Sequence, residues 1–478
     1  MAILDYGVAA WKGGHSRQGA AAAFAALSLL FGTLIILVTP PLRGPDETAH
    51  FLRAYGVAHG DFVPAARDAD GRSGVLLSPH IYKGFQFFEN VLVGEKGANW
   101  SGYGPVFKDY FSRSSGASDP GAELAFVPYG GSEGYSPIAY LPQAAAAIVA
   151  GFLGLDFLTT MYLMRLAGLA ALTVLIAYAI AISPQLGWAL AAIAMLPASV
   201  YGRSVISADG SALAAAIVVA ALWLREIISP NVRRSRQLSW WMLLSSLTKP
   251  TNLAFVLLGL ITSLGRGTRR LTSVAVAMLP AVIAALVWTY LSGADTAAWR
   301  MVEITGQAPV AFDPTVKLAY WLDHPLHFPA AAIAGFQGNF VELWRQMLGV
   351  LGLFDTVLPT WVYLTLTVLL VAVGVTQQPI TIAAARVWVA LVAAITAAAY
   401  VFAVYLVCYL AFTPLDAEIV WGVQGRYFVP ILPLLAIINA CIGHRAPDER
   451  IGAVLAICVA VLSGSASIVA ILAADWEI

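Results

Sequence analysis

The fold is decided by the first apolar run and the charged turn that follows it. Residues 20–38 read AAAAFAALSLLFGTLIILV, and residues 40–53 read PPLRGPDETAHFLR. The apolar run is close to the ~20 residues with which an α-helix crosses a bilayer. Charged side chains at the edge of a membrane segment are costly, and this position therefore suggests a functional role for the charged turn.

The whole chain has the composition of a polytopic membrane protein. Of its 478 residues, 59% are hydrophobic and only 11% are charged, whereas soluble domains carry about 25% charged residues. We therefore expect one all-α integral membrane domain over residues 1–478. The net charge of zero argues against a nucleic-acid partner. The three cysteines show no metal-ligand spacing and are interpreted as small buried hydrophobic residues.

The basic residues predict the orientation of the chain in the membrane. Lys12 and Arg17 place the N-terminus in the cytoplasm, and the first helix is interpreted as an uncleaved span. Residues 39–137 then form a first extracytoplasmic loop, in which we expect helices lying along the membrane interface. Residues 292–357 are predicted to be a second large extracytoplasmic loop. The cytoplasmic loops are marked by Arg233, Arg234 and Arg236, by Arg266, Arg269 and Arg270, and by His444, Arg445 and Arg450.

The apolar segments predict a bundle of about eleven transmembrane helices. The crossings are 20–38, 159–182, 184–201, 206–224, two short helices within 238–264, 271–291, 358–376, 386–410, 428–443 and 451–473. Parity requires one further apolar segment, 138–155, to be re-entrant or interfacial, although a full crossing there stays open. Because Lys249 precedes a proline and is biased out of helix, segment 238–264 is predicted to be a hairpin with Lys249 at its tip.

The charged turn has the pattern of an acid/base site beside an anion site. With Pro45 near the first helical position, Asp46, His50 and Arg53 fall at i, i+4 and i+7 on one helix face. Sorted by side, eight ionisable residues are predicted at or near the outer face: Asp46, Glu47, His50, Arg53, Arg203, Asp209, Lys249 and Arg426. Carboxylates suit general-base work and the cations suit a phosphate at the membrane surface.

Each of these residues also has a simpler interpretation. Asp46, Glu47 and Asp209 suit the first turn of a helix, where the helix dipole favours carboxylates. Lys249 can extend its ammonium group to an interface without further function. Arg426 can serve as an interfacial anchor.

A series of motifs resembles a known family. In chain order they are Pro45-Asp46-Glu47-x-x-His50-x-x-Arg53, Tyr135-Ser136-Pro137-x-x-Tyr140-x-Pro142-Gln143, Arg165-Leu166, Ile206-Ser207-Ala208-Asp209, Lys249-Pro250, Gly349-x-x-Gly352-x-x-Asp355 and Gln424-Gly425-Arg426-Tyr427-x-x-Pro430. The chain resembles a bacterial family of predicted polytopic membrane proteins of unknown function that is grouped with the GT-C glycosyltransferases. The resemblance covers nearly the whole chain.

The resemblance implies a GT-C-like fold and sugar transfer at the outer face of the bacterial inner membrane. The implied donor is a sugar on a polyprenyl phosphate such as undecaprenyl phosphate. The implied acceptor is a cell-surface glycan or a lipid-linked oligosaccharide, as in polysaccharide biosynthesis at the cell envelope. We expect inverting single displacement with Asp46 as the base and Glu47 as the alternative base.

The resemblance also implies roles for the remaining charged residues. His50 or Arg53 would orient the base, and the cations that bind the donor phosphate would be Arg53, Arg203, Lys249 and Arg426. Asp209 matches a second acidic position. A divalent cation, if the enzyme uses one, would be held by Asp46 and Asp209.

Two functions of other classes remain open from the sequence. The protein can be a transporter or flippase of lipid-linked sugars, or a non-catalytic partner in polysaccharide assembly. Transporters typically contain paired repeats with broken helices in corresponding halves. The sequence shows one such break, at Lys249-Pro250, and we therefore favour the enzyme.

Overall fold

The protein is built almost entirely from α-helices. The computed structural model describes residues 2–94, 102–113, 123–228, 232–264, 268–292, 295–377, 386–442 and 449–477. The helices of these ranges are α1 (Ala2–Val38), α2 (Glu47–Ala58), α3 (Pro79–Gly94), α4 (Tyr103–Arg113), α5 (Leu141–Phe152), α6 (Phe157–Ile182), α7 (Gly187–Ala194), α8 (Pro197–Ser204), α9 (Ala208–Ile228), α10 (Val232–Thr248), α11 (Val256–Leu264), α12 (Thr268–Ser292), α13 (Asp295–Thr305), α14 (Pro314–Asp323), α15 (His327–Gly349), α16 (Thr360–Val375), α17 (Arg386–Phe412), α18 (Leu432–Ile442) and α19 (Glu449–Asp475).

Two small sheets qualify the all-α prediction. Strands β1 (Gly74–Leu77) and β2 (Ala125–Pro128) pair antiparallel in the first loop. Strands β3 (Val350–Leu351) and β4 (Thr356–Val357) pair antiparallel after α15. Short helices of the 3-10 type lie at Ser132–Gly134, Pro137–Tyr140, Pro250–Phe255, Pro309–Phe312 and Gly425–Ile431. The protein is therefore mostly helical rather than strictly all-α.

Seven helical segments of the described chain are long and apolar enough to cross a membrane. They are Gly19–Val38, Phe157–Ile182, Ala208–Ile228, Thr272–Ser292, Arg386–Phe412, Gly425–Ile442 and Glu449–Asp475, and each coincides with a predicted span. The remaining apolar helices, Pro137–Phe152, Pro250–Leu260 and Thr360–Val375, are shorter. The protein is a polytopic membrane protein, and the total of eleven crossings is not confirmed.

Two predicted apolar segments differ from continuous spans. Segment 184–201 is divided into α7 and α8, and the predicted single helix is wrong. The break precedes Pro197, which has no backbone N–H to continue the helix and instead begins α8. In segment 138–155, α5 has 12 residues and is about 18 Å long at 1.5 Å per residue. With the 3-10 turn before it, the apolar helix runs over Pro137–Phe152 and is shorter than the seven long segments; its re-entrant or interfacial placement stays a prediction.

The predicted break at Lys249 is confirmed. Lys249 has an extended backbone (φ −152°, ψ 129°) between α10 and the 3-10 turn that leads into α11. The segment that follows runs alongside α9 in the same direction, because the Asn252 amide bonds to the Ala212 carbonyl at 3.1 Å and the Trp223 indole to the Leu258 carbonyl at 3.0 Å. Lys249 therefore lies at the end of the bundle where α9 begins, which we call the loop end.

The first loop folds into a small unit on the loop end. Helices α2, α3 and α4 and the β1–β2 sheet enclose an aromatic core that includes Phe51, Phe85 and Phe88. Phe157, at the start of α6, joins this core with its ring centroid 5.1 Å from that of Phe51. The predicted helices of residues 39–137 are thus present and are packed onto the bundle.

The centre of the bundle is α9, whose side chains are almost all buried. Lipid-facing surfaces lie on the outer helices, where large apolar residues such as Leu30 and Val368 are exposed. Cys408 and Cys441 are buried as predicted, but Cys458 is exposed on α19. Several residues that predict orientation, Arg266, His444 and Arg445 among them, lie outside the described residues, and the orientation stays a prediction.

Candidate functional site

The turn before α2 separates two neighbouring carboxylates. Glu47 is the first residue of α2, and Asp46 is its N-cap with a left-handed backbone (φ 53°). Glu47 is fully buried against Arg165, with oxygen–nitrogen distances of 2.8 and 2.6 Å. It also accepts hydrogen bonds from the backbone N–H groups of Gly44 at 2.9 Å and Ile206 at 2.8 Å. Glu47 thus anchors the turn, while the Asp46 side chain remains available to a different set of partners.

Four charged side chains from distant parts of the chain meet at the loop end. We call Asp46, Asp209, Lys249 and Arg426 the charged cluster. Arg426 Nη2 lies 2.7 Å from Asp46 Oδ2, and its Nη1 lies 3.2 Å from Asp209 Oδ2. Lys249 Nζ lies 2.7 Å from Asp209 Oδ1. The cluster is a chain of alternating charges whose formal sum is zero.

Local backbone features place each member of the cluster. Asp209 lies in the first turn of α9, where the helix dipole favours a carboxylate. Lys249 is directed here by the break before Pro250. Arg426 lies in a 3-10 helix whose first residue, Gly425, approaches α15 so closely that a Cβ atom would overlap the Leu343 carbonyl oxygen. A glycine is therefore required beside Arg426.

Aromatic rings enclose the two cations. The Tyr427 ring centroid lies 3.9 Å from Lys249 Nζ and 5.2 Å from Arg426 Cζ. The Phe354 ring covers Arg426 at 4.7 Å. Aromatic faces attract such cations, most strongly where water is excluded. The enclosure holds both cations close to the carboxylates.

Two cavities flank the Asp46–Arg426 ion pair. The larger, of about 200 Å³, is lined by Asp46, His50, Tyr135, Arg300 and Tyr427, among others. The other, of about 30 Å³, is lined by Asp209, Lys249 and Arg426 together with apolar side chains that include Leu213 and Val429. One member of the ion pair thus faces each cavity, so that a ligand spanning both would meet the carboxylate and the cations.

The Asp46 carboxyl group is held in its ionised form. Burial is the largest single effect and by itself would raise the pKa, but the nearby positive groups and the hydrogen bond from Arg426, with the charge of Arg426 foremost, together outweigh burial and lower the pKa from its usual value. Arg300 adds to this effect, with its Nη1 3.5 Å from Asp46 Oδ1. The group is therefore a carboxylate at neutral pH and can accept a proton once the cations beside it are neutralised by a ligand.

Sequence comparison assigns the chain to a family. The family model described as a predicted membrane protein (DUF2142) matches residues 29–435, which include the whole charged cluster. The chain belongs to the DUF2142 family. No curated protein and no solved structure matches it. The predicted resemblance to a membrane protein family of unknown function is confirmed, and the DUF2142 match extends over most of the chain.

The His50 side chain of this DUF2142 protein lies beside the cluster in a buried site. Its Nδ1 is 2.6 Å from the Tyr140 hydroxyl, and its ring centroid is 5.3 Å from that of Tyr135. Burial lowers the pKa of His50 to about 4, against a partly opposing effect of the Asp46 charge. His50 is therefore neutral at pH 7 and lines the larger cavity as a hydrogen-bonding group.

The lowered pKa of His50 predicts a loss of stability in mild acid. An unfolded histidine takes up a proton near pH 6.5, whereas His50 in the folded protein does so only near pH 4. The neutral His50 makes its full contribution to the free energy of unfolding above pH 6.5, and this contribution is lost as the pH falls toward 4. The loss amounts to about 2 kcal/mol at pH 5. Equilibrium unfolding in detergent at pH 7.5 and pH 5 should show this loss for the wild type and not for His50→Gln. Equal pH dependence of the two proteins would contradict it.

Arg53 does not join the charged cluster of the DUF2142 protein. Its guanidinium group donates hydrogen bonds to the backbone carbonyls of Tyr135 at 3.2 Å, Asp61 at 2.7 Å and Phe62 at 2.7 Å. Arg53 is fully buried. The predicted roles in orienting the base or binding donor phosphate do not fit this placement, because its donors stabilise the first loop.

Arg203 is also placed away from the cluster. It is fully buried between α8 and α1, where it donates to the carbonyls of Ala194 at 2.7 Å and Ser199 at 3.0 Å and to the Ser28 hydroxyl at 3.1 Å. The predicted order of the spans placed Arg203 and Asp209 together on the outer side, level with Asp46. The bend between α8 and α9 turns its side chain into the bundle, so the predicted phosphate contact does not fit.

The predicted divalent-cation site does not fit the donor set. Within the described ranges, no three His, Cys, Asp or Glu side chains form a group that could hold a metal ion. Asp46 and Asp209 both contact Arg426, and Asp209 also contacts Lys249. Two carboxylates that already face three cations, Arg300 included, leave no set of oxygen ligands such as Mg²⁺ or Ca²⁺ requires. We derive no chemical step through a metal.

Sequence reasoning missed three side chains of the site in this DUF2142 protein. Arg300 on α13 reaches Asp46, and Tyr427 and Phe354 cover the cations. Tyr427 was accessible to sequence reasoning as the neighbour of Arg426. Arg300 and Phe354 lie in the second loop, Phe354 within the Gly349–Asp355 motif, but the sequence does not show that they neighbour Asp46 and Arg426.

Proposed function

We propose that the protein is an integral membrane glycosyltransferase that moves a sugar from a polyprenyl-phosphate donor to a glycan or lipid-linked acceptor. The observation that carries the proposal is the contact of Asp46, a carboxylate from the first loop, with Arg426, a cation from a distant helix, between two cavities at the loop end. A base beside a phosphate-binding pair of cations is the arrangement that this reaction requires. The family that the sequence motifs resemble is expected to group with the GT-C glycosyltransferases, and that expected grouping favours the same reaction.

In the proposed reaction, the donor phosphate binds Arg426 and Lys249. Both cations are neutralised by carboxylates in the unliganded site. An arriving phosphate therefore exchanges with a carboxylate, and Asp46, the more exposed of the two at 34% of its side chain against 18% for Asp209, is the one released. Release from Arg426 makes Asp46 a stronger base at the moment the donor is in place.

The chemical step is a single displacement with inversion. Asp46 takes the proton of the acceptor hydroxyl while the oxygen of that hydroxyl forms a bond to the anomeric carbon. The bond between that carbon and the phosphate oxygen breaks, and the electron pair leaves with the polyprenyl phosphate. Arg426 and Lys249 stabilise the charge that develops on the leaving oxygen. Glu47, the alternative base, is occupied by Arg165 and two backbone N–H groups and does not suit this role.

The cavities suit the two substrates in different ways. The cavity beside Asp209, Lys249 and Arg426 has largely apolar walls and a volume of about 30 Å³ in the unliganded protein. Its walls must therefore move apart to admit the donor phosphate, and the isoprenoid chain lies between the helices. The larger cavity, beside Asp46 and His50, is more polar and suits the acceptor. We propose that the loop end faces the extracytoplasmic side of a bacterial inner membrane, in accord with the basic residues of the N-terminus.

The proposal is tested with purified protein in liposomes supplied with radiolabelled polyprenyl-phosphate sugars and a mixture of cell-envelope acceptors. We expect label to be transferred to an acceptor with inversion at the anomeric carbon. Movement of labelled lipid across the bilayer without any product would instead support a transporter or flippase. Absence of both activities, together with co-purification of assembly proteins, would support a non-catalytic role.

A further inference from the structure

The segment Gly349–Asp355 forms a tight hairpin beside the charged cluster. Strands β3 and β4 pair through Val350 with Val357 and Leu351 with Thr356, and residues 352–355 make the turn. Gly352 has a left-handed backbone (φ 63°), and a Cβ atom there would overlap the Asp355 carboxylate. The spacing of this motif in the sequence is thus explained by the shape of the turn.

Polar contacts connect the hairpin to neighbouring parts of the protein, and Asp355 makes the shortest of them. Its Oδ1 accepts a hydrogen bond from the Leu353 N–H at 3.1 Å. Its Oδ2 lies 2.7 Å from Arg43 Nη1, and Arg43 also contacts Asp475 at 3.1 Å. The Gly352 N–H donates a hydrogen bond to the Tyr201 hydroxyl at 3.2 Å. The turn is therefore fixed relative to the first loop, α8 and the end of α19.

Phe354, at the tip of this fixed turn, has an unfavourable backbone conformation. Its φ of 66° lies in the left-handed region, which glycine adopts readily and a residue with a bulky side chain adopts rarely. Such strain persists only where the surrounding structure enforces it, and it is concentrated at functional sites. A glycine would adopt this backbone conformation more readily, which suggests that the Phe354 ring itself has a role at this position.

The Phe354 ring lies over the guanidinium group of Arg426, 4.7 Å from its Cζ. The five donors of Arg426 are directed in the guanidinium plane, toward Asp46, Asp209 and the Gln424 side chain. A ring on the face of the group excludes water there without taking a donor. The contact restricts the guanidinium plane to the orientation in which it meets both carboxylates.

We propose that Phe354 is a positioning residue that holds Arg426 ready for the phosphate of the lipid substrate. The inference rests on the proposed function, because it assigns to Arg426 the binding of that phosphate. The hairpin is the support that imposes the left-handed conformation on Phe354. Without the ring, Arg426 would have more freedom to rotate, and the bidentate geometry that suits a phosphate would be less populated.

The test is Phe354→Gly in the full-length protein in nanodiscs, with undecaprenyl phosphate and undecaprenol as probes. We expect thermal stability to stay the same or to rise, because glycine relieves the backbone strain. The affinity for undecaprenyl phosphate should fall about tenfold, as expected for loss of one aromatic contact to a partly buried cation. The affinity for undecaprenol should not change. Phe354→Tyr, which keeps an aromatic ring, should bind undecaprenyl phosphate as the wild type does. Leu353→Ala, which changes an exposed residue on the same turn, should also bind as the wild type does.

The outcomes separate this inference from the proposed function. If the wild type prefers undecaprenyl phosphate to undecaprenol and Phe354→Gly keeps the full preference, the positioning role is wrong and the proposed function stands. A parallel loss of affinity for both probes would show a merely structural role for the ring and would also overturn the inference. If the wild type does not prefer the phosphate at all, the proposed function is wrong, and the inference that rests on it is wrong as well.

Discussion

Replacing Asp46 with asparagine is expected to abolish sugar transfer, with a fall in rate of about 10²–10⁴-fold. Asparagine keeps the size of the side chain and can still accept a hydrogen bond from Arg426, but it cannot take the proton of the acceptor hydroxyl. The fold should be retained, because Asp46 is partly exposed and the anchor of the turn is Glu47. Transfer of labelled sugar by the purified variant measures the effect.

The same variant should bind the lipid phosphate at least as tightly as the wild type. In the wild type, an incoming phosphate exchanges with the Asp46 carboxylate on Arg426. In Asp46→Asn that competitor is neutral, and the charged cluster has a formal charge of +1. An inactive protein with undiminished affinity for undecaprenyl phosphate would separate the base from the anion site.

A matched control is Asp323→Asn, on an exposed side chain at the end of α14. It removes the same charge from the surface and should leave transfer and binding unchanged. Transfer by Asp46→Asn at the wild-type rate would contradict the assignment of the base. A strong loss of phosphate affinity in Asp46→Asn would contradict the exchange of phosphate for carboxylate.

Replacing Arg165 with alanine is expected to reduce the free energy of unfolding by about 3–5 kcal/mol, the usual effect of leaving one partner of a buried ion pair without the other. Arg165 and Glu47 are both fully buried, 2.6 Å apart. Arg165 also donates to the carbonyls of Thr39 at 2.7 Å and Pro40 at 2.8 Å. Its loss leaves a buried carboxylate and two backbone acceptors without their donor. Equilibrium unfolding in mixed micelles measures the change.

The exposed ion pair between Asp109 and Arg113 provides the control for this effect. Arg113 is 67% exposed and Asp109 is 45% exposed, and pairs of this kind contribute about 0–1 kcal/mol. Arg113→Ala should therefore unfold almost as the wild type does. If Arg165→Ala does not accumulate, Glu47→Gln tests the same contact, because it keeps one acceptor oxygen and replaces the other with an NH2 group that cannot accept from the two N–H donors there. Equal stability of the Arg165→Ala and Arg113→Ala variants would contradict the anchoring role.

The candidate site could be predicted in part because the order of membrane segments indicates at which end of the bundle each connecting residue lies. Spans and breaks place a residue at one end of the bundle or the other, and Asp46, Asp209, Lys249 and Arg426 were assigned to the same end on that basis. Their convergence in one cluster agrees with the prediction. The position of a residue along the bundle axis does not specify the direction in which its side chain points. Arg203 illustrates this, since its side chain turns toward α1 and away from Asp209.

The two carboxylates of the charged turn show what adjacency in sequence cannot decide. Helical spacing predicted one shared face for Asp46, His50 and Arg53, with Glu47 as a second candidate base. The structure begins α2 at Glu47 and gives Asp46 a left-handed backbone, so the two carboxylates point to different partners. Arg53 is taken by carbonyls of the folded first loop, which no local pattern reveals.

The sequence by itself determined that this chain is a helical membrane protein, where most of its spans lie, where α10 ends, and which charged residues belong to the loop end. Hydrophobic length and proline placement act locally, and a bilayer imposes them on any chain of this composition. Only the tertiary structure decided which charges pair. An ion pair depends on a few ångströms between side chains hundreds of residues apart, and that distance is set by the packing of whole helices. Arg165 with Glu47 and Arg426 with Asp46 use the same chemistry, yet the first pair is sealed inside the fold and the second opens onto two cavities.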